Sequence, residues 1–104
     1  MELSKKFRFN EQVEIAPASV VSKQIIKNEK GNITLFGFDK GEGLSEHTAP
    51  YDALVMLVEG KAEIIIGGVI HTLEQNENIL MPANIPHALK AIEPFKMVLV
   101  MIKA

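Results

Sequence analysis

An all-β fold, an antiparallel sandwich or barrel, is the class this sequence predicts, and three observations predict it. From Val20 onward, short runs rich in Val, Ile and Leu are punctuated by Gly, Asn or Pro about every 8–12 residues, the rhythm of strands in a sandwich or barrel. No stretch has the 3.6-residue apolar period of a helix. The punctuating residues also suit hairpins, which need backbone that tolerates positive φ between twisted strands.

Taken in order, strands are expected at Val20–Lys27, Asn32–Asp39, Leu54–Glu59, Lys61–Ile66, Val69–Leu73, Asn78–Met81, His87–Ala91 and Phe95–Ile102. Asn28-Glu29-Lys30-Gly31 joins the first two as a hairpin, and Gly67-Gly68 joins the fourth and fifth. Glu59-Gly60-Lys61 is too short for a helix, so the strands either side of it are expected to be antiparallel neighbours in a central meander. Residues 1–19 form an N-terminal arm or strand ahead of a single barrel domain over 20–104.

Period two assigns faces. His47, Ala49, Ala53, Val55 and Leu57 share one parity and point inward if the strand runs through the Pro50 bend. Leu54, Met56 and Val58 hold the other parity and are also apolar. That face therefore needs a cover, either the N-terminal arm or a second subunit, and a homodimer is expected.

The chain has 104 residues, 47% hydrophobic, with a formal net charge of −2. This suits one domain and argues against disorder and against a polyanionic partner. The basic residues Lys5, Lys6 and Arg8 lack the interleaved aromatics of a nucleic-acid binder, so no nucleic-acid partner is expected. With no cysteine, disulfides, zinc–thiolate sites and thiol catalysis are excluded. Met1 to Gln12 is charged and no apolar run reaches the roughly 18 residues that span a bilayer, so the expectation is a cytoplasmic protein without membrane contact. No phosphate-binding glycine loop, serine elbow or catalytic carboxylate pair is present.

Chemistry concentrates in two segments, Ser45-Glu46-His47-Thr48-Ala49-Pro50 and Met81-Pro82-Ala83-Asn84-Ile85-Pro86-His87, each setting a histidine beside a proline turn. In the second, Asn76, Pro82, Asn84 and His87 resemble a motif of the cupin superfamily: glycine, five residues, proline, one residue, glycine, two residues, histidine. Asparagine stands at both glycine positions and is the usual substitute where positive φ is required. Gly41 to Gly60 resembles the first cupin motif, with His47 on its first histidine, Ala49 on its second and Ala53 on its glutamate. The resemblance spans roughly Val20 to Ile102 and is closest to small single-domain bacterial cupins of the conserved-barrel type. It implies an RmlC-like jelly roll.

Members of that family build a metal centre from two histidines and a glutamate of the first motif plus the histidine of the second. Here two of the four remain, and methyl groups stand at the others. The leading expectation is thus a stand-alone cupin that binds a small organic ligand in its cavity through His47 and His87, with Tyr51, Ala49, Ala53 and Met81 around it. Tyr51 would serve as a phenol donor, a stacking surface or a cap on the barrel mouth. Met56, Met81, Met97 and Met101 read as adaptable core or interface filler, Met81 beside Pro82 also bordering the cavity. The alternative, by family analogy, is a metal-dependent isomerase or dioxygenase with a divalent zinc, manganese, iron or nickel ion on His47 and His87. Its third donor would be sought among His71, Glu46 and Asp52, and Glu46 has the wrong parity. The residues leave open whether the protein is an enzyme.

Overall fold

The structure, a computed structural model, describes residues 1–104. Nine strands form two antiparallel sheets: β1 (Val20–Asn28), β2 (Gly31–Phe38), β3 (Gly43–His47), β4 (Tyr51–Glu59), β5 (Lys61–Ile66), β6 (Val69–Glu74), β7 (Asn78–Met81), β8 (His87–Ala91) and β9 (Phe95–Lys103). One sheet has the order β1-β2-β9-β4-β7 and the other β3-β8-β5-β6. This is the jelly roll that the resemblance implies, and the eight expected strands are all present.

Two expectations need correction. The strands flanking Gly60 are not neighbours, because β4 lies in the five-stranded sheet and β5 in the four-stranded one, and the chain changes sheet at Gly60. There φ is +91°, and a β-carbon would stand 2.1 Å from the Pro94 carbonyl oxygen. Only glycine fits that corner, so the apolar runs around it belong to opposite walls rather than to a meander. The Asn28–Gly31 hairpin forms, but not through positive φ. The Asn28 side chain accepts a hydrogen bond from the Lys30 N–H, and Gly31 is the first residue of β2, where a side chain would meet the Met101 carbonyl.

Between the sheets, Phe38, Val55, Leu57, Ile64, Phe95 and Met97 are fully buried, and the Phe38 and Phe95 rings stack with centroids 4.5 Å apart. Each such side chain contributes about 1.5–3 kcal/mol through removal from water. This plug seals one end of the barrel. The inward parity of Ala53, Val55 and Leu57 is as the sequence predicts, but no single strand runs through the Pro50 bend: His47 ends β3 in one sheet and Tyr51 opens β4 in the other.

Residues 1–19 contain a 3-10 turn at Phe9–Glu11 and no strand. They lie on the outer side of the five-stranded sheet, where Val13 closes a small second core over Leu35 and Val98. Asp39 fastens the arm by accepting hydrogen bonds from the N–H of Ala18, at 2.7 Å, and of Lys40, at 2.8 Å. Those two bonds, Ala18 first, hold the carboxyl below its ordinary value of 3.8. No helix is long and apolar enough to cross a membrane.

Candidate functional site

The site begins with register. His47 ends β3 and His87 begins β8, and the two are direct partners across the antiparallel pair, which puts both side chains on one face. Their rings meet edge to face with centroids 4.3 Å apart, and the two Nε2 atoms are 3.1 Å apart. Each ring is fixed by its own strand. His47 Nδ1 lies 2.7 Å from the Ser45 carbonyl oxygen, and His87 Nδ1 lies 3.1 Å from that of Ile85.

These contacts assign protons. A carbonyl only accepts, so each Nδ1 carries the hydrogen it donates, and each neutral ring then presents a bare Nε2. Two bare nitrogens 3.1 Å apart repel unless something positive lies between them. One extra proton, a ligand O–H or N–H, or a cation satisfies the geometry. The pair is thus built to accept.

Loop chemistry explains how the rings come together. Asn76 and Asn84 have φ of +69° and +64°, so both asparagines adopt the left-handed turns that the glycines of the motif would supply. The Asn84 N–H donates to the Ala49 carbonyl at 2.9 Å, tying the loop before β8 to the segment after β3. The Asp52 carboxylate accepts from the Ala83 N–H at 2.9 Å, which bolts the same loop from the other side.

Around the pair is a cavity of about 240 Å³, whose lining includes Ala49, Tyr51, Ala53 and Met81, the four residues expected beside the histidines. Ten of the twelve lining residues are hydrophobic, so any occupant meets a mainly apolar wall. Phe36, Leu44, Leu89, Met97, Leu99 and Met101 complete it. Sequence reasoning missed Phe36, Leu44, Leu89 and Leu99 as lining residues and took Met97 and Met101 for filler. Their inward parity was readable, but not the height at which the core stops and the cavity starts.

His71 does not join the site. It lies on β6, opposite Ile64 of β5, and β5 in turn separates it from β8, so two strand spacings of about 4.8 Å each intervene. Asp52 is committed to Ala83, and Glu46 is exposed. No three His, Cys, Asp or Glu residues gather where they could hold one ion. The other heteroatoms of the lining are the Tyr51 phenol and the thioethers of Met81, Met97 and Met101.

Comparison with known proteins gives a consistent picture. A family model described as Cupin domain matches residues 34–103. A conserved protein of unknown function from Streptococcus pyogenes is 36% identical with a TM-score of 0.95, over 100% of this chain and 91% of that one. A Cupin 2 conserved barrel domain protein from Leptotrichia buccalis is 37% identical with a TM-score of 0.91, over 93% of this chain and 47% of the other. A cupin superfamily protein from Desulfitobacterium hafniense shares the fold, with 23% identity, a TM-score of 0.93 and coverage of 100% and 95%. Among curated proteins none matches.

Proposed function

Because the chain belongs to the cupin domain family, we propose that its barrel cavity binds a small organic molecule, with His47 and His87 as the polar anchor. The observation that supports this most is the pair of Nε2 atoms facing each other at 3.1 Å within an otherwise apolar pocket. A ligand O–H or N–H meets two acceptors there. When the pair holds one proton, a carboxylate or carbonyl oxygen meets a charged donor. At about 240 Å³ the cavity lies just below the range of about 300–1,000 Å³ of small-molecule sites, so a small ligand suits it.

Thermal-shift titration with short-chain carboxylic acids and the matching methyl ketones tests this reading. A member of that set should raise the Tm of the native protein, and the shift should vanish in the His47→Ala/His87→Ala double variant. An undiminished shift in that variant would remove the histidines from the reading.

A second reading has one specific observation in its favour. Nitrogens 3.1 Å apart, each on a ring whose other nitrogen donates to a carbonyl, have the spacing of two ligands of one ion with bonds of about 2.0–2.1 Å. The residues fit in spacing and fall short in number, since catalytic zinc usually has three protein ligands. His47 and His87 would hold such an ion, which would supply a Lewis acid at the ligand's oxygen. Elemental analysis of untagged protein prepared without added metal separates the two readings. Near-stoichiometric metal, with a fall in Tm on chelation, favours the ion.

A further inference from the structure

Three of the twelve side chains around the cavity are methionines, Met81, Met97 and Met101, and all three stand on the wall opposite the histidine pair. Register fixes how they are set. Ala53 of β4 is paired with Met81 of β7 on one side and with Met101 of β9 on the other, so the three side chains form one row on the inner face. With strands about 4.8 Å apart, two long side chains flank a single methyl group across roughly 10 Å. The wall is therefore a trough with a methyl floor and a thioether on each side. Met97 and Phe36, themselves cross-strand partners, continue it.

Leucine would fill such a wall as well, and Leu44, Leu89 and Leu99 do so elsewhere in the lining. What a thioether adds is a polarizable sulfur that favours the edge of an aromatic ring, an effect of about two- to tenfold in affinity per contact. A ring lying over Ala53 turns opposite edges toward Met81 and Met101. Size agrees, because an apolar cavity of about 150 Å³ already takes benzene. The cavity of about 240 Å³ thus takes one ring with small substituents. On the facing wall, the two bare Nε2 atoms call for a donor. A phenol hydroxyl, with a pKa of about 10, is a stronger donor than an aliphatic alcohol's. Apart from the Tyr51 hydroxyl the rest of the lining offers only weak acceptors, so one such group is what the site can satisfy.

From this we infer that the cavity selects a single aromatic ring carrying one hydroxyl, a simple phenol. Met81 and Met101 choose the ring, and His47 and His87 take the hydroxyl. The inference rests on the histidine pair being the polar anchor, and it gives the two methionines a selecting role that core filler does not have.

Calorimetric titration with phenol and cyclohexanol, which are alike in size and in their one hydroxyl, isolates the ring. The native protein should bind phenol at least tenfold more tightly. Met81→Leu/Met101→Leu nearly conserves volume and should weaken phenol by about tenfold while leaving cyclohexanol within about twofold. Methionine ε-methyl NMR signals give a second readout on the native chain. Those of Met81 and Met101 should shift under the ring current of bound phenol and not with cyclohexanol, whereas those of Met1 and Met56, outside the cavity lining, should stay in place. Equal affinity for the two compounds, a phenol preference unchanged in the leucine variant, or unmoved Met81 and Met101 signals would each overturn the inference. Should carboxylic acids or ketones still bind in a histidine-dependent way in that case, the selecting role falls and the anchor stands. A phenol affinity indifferent to His47→Ala/His87→Ala would remove the anchor and this inference with it.

Discussion

At Ala49 and Ala53 a methyl group faces the cavity where the cupin motif has a histidine and a glutamate, and Ala53 is almost wholly buried. If those positions still converge on His47 and His87, restoring both side chains should rebuild a four-donor site. Ala49→His/Ala53→Glu is expected to lose stability without metal, because a buried unpaired carboxylate costs several kcal/mol. Zinc or manganese should return it, since an ion at a hundred times its Kd adds about 2.7 kcal/mol. Melting curves with and without the ion are the check, and an unaltered curve would show that the two walls no longer converge. Asn84 offers a second test. Asn84→Gly should be nearly neutral to urea denaturation, whereas Asn84→Ala should cost about 1 kcal/mol or more for a β-carbon at φ +64°. The asparagines were legible from motif spacing alone, because the backbone requirement survives when the residue changes. The proton assignment of the histidines was not, since it depends on the Ser45 and Ile85 carbonyls, which only the folded strands aim at the rings.

At the scale of elements, the sequence announces strands better than it announces partners. Alternating apolar residues located eight strands, but β3 carries only Leu44 as an apolar residue among Gly43–His47 and so gave no period to read. Gly60 likewise looks like a hairpin turn in sequence, and its role as a corner between sheets depends on Pro94 and Phe95, more than thirty residues away. Gly60→Ala is accordingly expected to be among the most damaging single changes, at about 4 kcal/mol or more, because backbone atoms must move to admit one methyl group. Chemical denaturation measures it. The clasp between the arm and the sheet predicts a pH effect. Asp39 has a lowered folded pKa, so its contribution is present above the unfolded value and is lost as pH falls through the folded one. Asp39→Asn should therefore lower the Tm at neutral pH, and the gap from the native protein should close on acidification below the ordinary aspartate range.

For the molecule as a whole, the division of labour between its two sheets follows from where the histidines stand. Both belong to the four-stranded sheet, on adjacent strands, and each ring is secured two residues back along its own chain. Most of the apolar lining, Phe36, Met81, Met97, Leu99 and Met101 among it, comes from the five-stranded sheet. That anatomy explains why motif spacing revealed the anchor while the pocket's shape stayed hidden. The anchor is local to two strands, and the shape is a property of two sheets meeting. It also makes the fold easy to repurpose. Mutation can resculpt one wall, and with it the molecules admitted, while the opposite wall keeps its grip on a polar head group, so new specificities need not be invented together with a new way of holding them.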